Sequence, residues 1–166
     1  MIRFSEYFNS WLYETDGYYS DYKNIGKDGD FFTSVSVTPF FGGAIAKKII
    51  DSIESGFLNK NSTILEIGAH KGYLLADIIQ FIYTLKPELL KTLNFAILER
   101  FESLRVVQKK YLFDSFADSI NFEHYKNFDD IKIDSAFIIS NELFDSFACD
   151  LVYTKDNIIK QAFVNN

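Results

Sequence analysis

From Thr63 onward, short apolar runs alternate with amphipathic stretches, and this alternation limits the chain to few architectures. "TILEI", "NFAILE", "SINFEHY" and "SAFIIS" each have strand length and β-branched or aromatic content, while "YLLADIIQFIYTLK" and "ESLRVVQKKYL" carry helical spacing. Strands separated by helices predict a doubly wound, mostly parallel α/β sheet. "SAFIIS" is almost uniformly apolar, so it reads as a strand buried on both faces. Two helices precede the sheet: one over about residues 2–15, another opened by Thr38 as N-cap with Pro39 next and closed near Gly56. Between them, residues 17–34 read as a long glycine-punctuated loop, and the tail folds as a hairpin turning at Asp156-Asn157.

Ligands of such sheets bind beyond the carboxyl ends of the strands, and "LEIGAHKGYL" lies at the end of the first. Gly68 follows that strand directly and Gly72 opens the next helix, where backbone must pass close to a ligand. His70 occupies the middle position of the turn; its backbone is expected near a right-handed conformation, with the ring directed outwards. Glu99 ends the second strand, where a carboxylate accepts hydrogen bonds from both hydroxyls of a ribose. A structural turn beside a solvated glutamate would have the same spacing.

Dinucleotide enzymes favour G-x-G-x-x-G and cradle a pyrophosphate, whereas here Gly68 and Gly72 are separated by three residues. Glu66 sits inside the strand end. A carboxylate there suits the sulfonium and ammonium groups of S-adenosylmethionine better than a phosphate, so the methyl donor is the expected cofactor. A nicotinamide-dependent oxidoreductase is the disfavoured alternative.

Five ordered blocks, "LYETDGYYS", "IGKDGDFFTS" with "FFGGAIA", "ILEIGAHKGYLLADI", "LERFESLRVVQKKYL" and "IISNELFDSF", resemble the MidA family of S-adenosylmethionine-dependent methyltransferases. That family includes a mitochondrial protein-arginine methyltransferase of complex I assembly. The resemblance implies a Rossmann-like class I methyltransferase sheet, with an N-terminal cap and lid over residues 1–60, a cofactor-binding core over 61–146 and a hairpin over 147–166. It implies that Asp30 and Thr33 lie in a lid closing over the cofactor. It also implies that Asn141, Glu142 and Asp145 face the methyl acceptor, with the two carboxylates holding a guanidinium and Asn141 orienting it. The same three residues would equally make an acidic helix start, favoured by the macrodipole. The family's middle turn glycine is His70 here, and its proline after the N-E-x-x-D block is Ala148.

Family members continue beyond the point where this chain stops, so it reads as an N-terminal half whose sheet is truncated after strand four. The truncated sheet is expected to bind cofactor but not to be a competent enzyme alone, and to form a homodimer or aggregate through its exposed edge unless the C-terminal hairpin covers it. A catalytically inactive half-domain serving as scaffold or assembly partner is the rival reading. The expected partner is a protein substrate, such as a respiratory complex subunit.

Charge and composition narrow the rest. A formal net charge of -6 without a basic block argues against nucleic acid. No apolar run reaches the roughly 20 residues of a bilayer span, so no membrane association is expected. The single cysteine, Cys149, reads as a buried small hydrophobe, and neither an intrachain disulfide nor a zinc cluster can form from it. No metal is expected. The N-terminus does not match a secretory signal, which with the reduced cysteine predicts a cytoplasmic location.

Overall fold

The computed structural model describes residues 1–19 and 38–165. Among these, residues 1–19 with 142–165 form one compact unit and residues 38–141 another.

The larger unit carries the sheet. Helix α2 (Phe40–Glu54) leads to β2 (Thr63–Ile67), α3 (Tyr73–Leu85), β3 (Asn94–Leu98), α4 (Glu102–Phe116), β4 (Asn121–Tyr125) and β5 (Ala136–Ser140). The four strands are parallel in the order β4-β3-β2-β5. The chain therefore builds outward from β2 through β3 to β4, then returns to the other side of β2. That reversal puts a switch point between β2 and β5, where the strand ends leave a crevice. The register aligns Ile67 with Leu98 and with Ser140, so the residues that follow β2, β3 and β5 emerge on one level.

Alternation along the strands divides the core. Ile64, Phe95 and Ile97 face the helices and pack with Ala46 and Ile49 of α2 and with Leu74, Ile78 and Ile82 of α3. Leu65, Ala96 and Leu98 point the other way, against a smaller cluster that includes Ile131 and Ile133. Strand period and burial agree, which fixes the register because a one-residue slip would exchange the two faces.

The expected elements form with small shifts at their ends. Helix α2 begins at Phe40 rather than at Pro39; the Thr38 hydroxyl oxygen accepts the Phe40 N–H at 3.3 Å, and Gly56, at φ 78°, ends the turn. Helix α3 stops at Leu85, before Pro87. Strand β5 corrects the sequence reading. It is not buried on both faces: only Ile139 is buried, and Ile138 is 61 % exposed. The physical reason is its place at the end of the sheet, where β2 is its one strand neighbour among the described residues.

In the smaller unit, β1 (Ile2–Arg3) precedes α1 (Phe4–Tyr13) and pairs antiparallel with β8 (Phe163–Val164). That pairing takes Ile2 and Arg3 out of the expected helix. Strands β6 (Val152–Lys155) and β7 (Ile158–Gln161) make the hairpin. Asp156 and Asn157 both have positive φ, 53° and 58°, as a two-residue turn matched to strand twist requires. Tyr13 donates its hydroxyl to the Ser146 carbonyl, tying α1 to the segment before the hairpin. Cys149 is exposed rather than buried, because it lies on an irregular stretch between that segment and β6.

Candidate functional site

The turn after β2 is built from alternate left-handed residues: Gly68 at φ 72°, His70 at φ 48° and Gly72 at φ 84°. Gly68 donates its N–H to the Leu98 carbonyl at 3.2 Å, and Gly72 donates to Ala69 at 2.7 Å. His70 was expected in a right-handed conformation and is instead left-handed. Histidine is among the non-glycine residues that tolerate this region best, so the turn persists without its middle glycine.

Glu66 is only 3 % exposed, on the helix-facing side of β2. One of its carboxylate oxygens accepts the Leu75 N–H, at 3.1 Å, in the first turn of α3, satisfying a donor the helix itself leaves unpaired. Burial pushes this carboxyl up to about 8, and the Leu75 hydrogen bond offsets only part of that. A carboxyl raised above its unfolded value contributes stability that is whole at acidic pH and is lost as pH rises from near 4.5 towards 8. Glu66→Gln, which keeps an acceptor for Leu75 and mimics the protonated acid, is therefore expected to match the wild type near pH 5. By pH 8 it should exceed it in stability by on the order of 2–4 kcal/mol, because each tenfold change in proton affinity is worth roughly 1.4 kcal/mol. Thermal unfolding of both proteins across that range checks this; a constant difference at every pH would contradict it.

Glu99 is also buried, at 6 % exposure, immediately beyond β3. Its Oε1 accepts the Phe101 N–H at 3.0 Å, and its Oε2 lies 3.5 Å from the amide nitrogen of Gln108. Burial raises its carboxyl above the ordinary range, while these hydrogen bonds and the nearby Arg100 and Arg105 pull it back. Arg105 donates to the carbonyls of Glu99 and Arg100 at 2.8 and 2.9 Å, fixing the backbone that carries the carboxylate.

Two residues here had no role in the sequence reading, although Gln108 lies in the matched block "LERFESLRVVQKKYL". Gln108 is fully buried; its Nε2 also donates to the His70 carbonyl at 2.7 Å, and its Oε1 meets the His124 Nε2 at 2.9 Å. His124, on β4, is lowered to about 4 by burial and by Arg105 and Lys109, so its ring is neutral at physiological pH. The available signal was a glutamine inside the buried stripe Leu104, Gln108, Leu112 of α4.

The remaining candidates are distributed. Asn141, half-buried, follows β5 at the level of the Gly68 turn. Glu142 is exposed and left-handed, at φ 49°, a strained setting for a non-glycine residue. Asp145 is exposed in a short 3-10 turn, Phe144–Ser146. No α-helix starts here, so an acidic helix start does not account for these carboxylates. Asp30 and Thr33 lie outside the described residues. Glu66, Gly68, Gly72 and Glu99 thus share one end of β2 and β3, with Asn141 one strand away. Among the described residues there is no cluster of three or more histidine, cysteine or acidic side chains that could hold a metal, and no helix long and apolar enough to cross a membrane.

The model of a protein family described as "Putative S-adenosyl-L-methionine-dependent methyltransferase" matches residues 44–166, which include the turn, both buried glutamates and the Asn141–Asp145 segment. The chain belongs to this family. Among curated methyltransferase relatives, the bovine mitochondrial protein arginine methyltransferase NDUFAF7 is 24% identical over 148 residues, covering 78% of this chain and 33% of that protein. Its Caenorhabditis elegans homolog is 24% identical over 165 residues, covering 90% and 39%. The chain thus spans between a third and two fifths of the length of these relatives. A COG1565 superfamily member and likely methyl transferase from Burkholderia thailandensis, bound to S-adenosyl-homocysteine, superposes with a TM-score of 0.76 at 23% identity, over 96% of this chain and 41% of that one. A second, native structure from the same organism gives 0.63 at 19%, over 97% and 43%. These likenesses confirm the methyltransferase fold. The cytoplasmic location is corrected by the same comparisons, since the bovine, nematode and rat relatives are all mitochondrial proteins.

Proposed function

We propose that the chain binds S-adenosylmethionine at the ends of β2 and β3 and that the protein it represents methylates an arginine side chain of a protein substrate. The carrying observation is the left-handed turn Gly68, His70, Gly72 set beside the buried Glu99 on the adjacent strand. The side chains present suit the cofactor. A carboxylate has about four lone-pair sites, and the Phe101 N–H and the distant Gln108 amide leave Glu99 capacity for two ribose hydroxyls. Glu66, held largely protonated by burial, supports the site by fixing the start of α3 through the Leu75 N–H rather than by charge.

S-adenosylmethionine supplies a methyl group activated on sulfur. The acceptor guanidinium would have to be held in line with that methyl group and would have to lose a proton around transfer. Most of the rate for such a displacement comes from alignment in a closed site. In this reading Glu142 and Asp145 hold the guanidinium in bidentate geometry and receive the proton, while Asn141 orients it. The strained backbone of Glu142 supports a role beyond packing. The arginine-methyltransferase names of the curated relatives support the choice of acceptor.

The test gives donor labelled on the methyl carbon and candidate protein acceptors to this chain and to a version extended to the length of its curated relatives, followed by acid hydrolysis. Label is expected in methylated arginine, and Asp145→Asn is expected to reduce transfer by about 100-fold. Label confined to other residues, with Asp145→Asn indifferent, would sink the assignment.

A further inference from the structure

Gln108 makes three contacts that no packing role requires. It is 0 % exposed on a stripe otherwise formed by Leu104 and Leu112, where a leucine would fill the space without an amide to satisfy. Its Nε2 donates to the His70 carbonyl, in the middle of the cofactor turn, at 2.7 Å, and lies 3.5 Å from the Glu99 carboxylate. Its Oε1 lies 2.9 Å from the His124 Nε2. The partners settle the orientation. Both groups on the nitrogen side are acceptors, so the amide oxygen must face His124, and that ring must carry its proton on Nε2. The methylene stem of Gln108 also lines the space beside Gly72, where an added Cβ would meet it at 3.7 Å. One side chain thus joins three separate pieces: the turn after β2, the end of β3 and the C-terminal part of β4.

We propose that Gln108 is a positioning residue of the cofactor site, whose amide holds the His70 carbonyl and the Glu99 carboxylate in fixed relation while His124 locks the amide's orientation. The inference rests on the reading of Glu99 and the turn as cofactor-binding, and it adds that the two act as one unit. Without the amide, the turn loses the hydrogen bond that steadies its left-handed middle residue, and Glu99 loses a donor that aims its second oxygen. Neither loss touches a ligand directly, so the effect must appear as coupling.

Two measurements test it, on the wild type, Gln108→Leu, His124→Phe, Glu99→Ala and the Gln108→Leu/Glu99→Ala double variant. His124→Phe keeps a ring against Phe122, which the histidine meets edge-on at 4.7 Å, and removes only the donor. The first measurement is amide hydrogen exchange without ligand. Gln108→Leu should speed exchange at Gly68 and Gly72 at least tenfold relative to Ile78 in the core of α3, and His124→Phe should act in the same direction by a smaller factor. The second is calorimetry with S-adenosylhomocysteine. Gln108→Leu should weaken binding at least tenfold in the wild type but less than threefold on the Glu99→Ala background. If Gln108→Leu does not fold, His124→Phe carries the exchange measurement. Exchange that rises equally at Gly72 and Ile78, or affinity losses equal on both backgrounds, would overturn the proposal. A wild type that binds no S-adenosylhomocysteine would instead defeat the cofactor reading, and the exchange result would still decide whether Gln108 holds the turn.

Discussion

Glu99→Ala is expected to weaken binding of S-adenosylhomocysteine by about 10- to 100-fold, that is by roughly 1–3 kcal/mol. The carboxylate lies just past β3, level with the glycine turn, and is 6 % exposed. In the proposed site, its removal would leave two ribose hydroxyls without their acceptor, and a hydrogen bond to a buried charged acceptor is worth more than one in solvent. Glu99→Gln should fall between, because one carbonyl acceptor remains. Glu99→Ala also removes the acceptor of the Phe101 N–H, so some loss of thermal stability accompanies it. Calorimetry below the unfolding transition separates the two effects. An affinity unchanged by the substitution would remove Glu99 from the site.

A second large effect is expected where α2 packs on α3. Gly42→Val should destabilise the fold by about 3 kcal/mol or more. A Cβ at Gly42 would lie 2.5 Å from the Asp77 Cβ and 3.2 Å from backbone atoms of Asp77 and Ile78, so α2 and α3 must separate to admit it. Separation pulls Ala46 and Ile49 away from Ile78 and Ile82, which make up much of the helix-facing core. The gain in helix propensity from replacing glycine, under ~1 kcal/mol, does not offset this. Gly43→Ala provides the contrast. Its Cβ would meet only the edge of the Phe81 ring, at 2.9 Å, and that half-buried side chain can swing aside. The propensity gain should then leave Gly43→Ala close to wild-type stability. Urea unfolding of both variants checks the pair, and a Gly42→Val protein as stable as Gly43→Ala would mean that the helices approach less closely than described.

The sheet was legible because its strands are short apolar runs with helices between them, and period 2 against period 3.6 separates the two kinds of element. The hairpin was legible from Asp156-Asn157, since few residues accept two consecutive positive φ values. The misread strand is instructive. An apolar run announces a strand, but "SAFIIS" carries no mark of what covers each face; β5 takes the expected edge position yet is not buried on both faces. His70 illustrates a second limit: spacing identified the turn, while the backbone conformation of its middle residue follows from closing the turn in three dimensions.

The site was legible only in part, for the same reason. Gly68, Gly72, Glu66 and Glu99 could be found because each sits next to a strand end visible in the sequence. Gln108 could not be joined to His70, 38 residues away, or to His124, 16 residues away, because those contacts exist only once three elements are packed together. Glu66 was read as facing a cation, and its geometry shows it first capping α3 through Leu75. Asn141, Glu142 and Asp145 were read as a site or a helix start, and the short turn that forms there leaves the Glu142 and Asp145 carboxylates without the macrodipole explanation.

In the proposed function, the ends of β2 and β3 take the adenosyl group of S-adenosylmethionine rather than a dinucleotide. The most direct measurement is a pair of calorimetric titrations of this chain at neutral pH, one with S-adenosylhomocysteine and one with NAD. Saturable, stoichiometric binding of S-adenosylhomocysteine with no heat from NAD is the expected result. Saturable binding of NAD with none by S-adenosylhomocysteine would contradict the account.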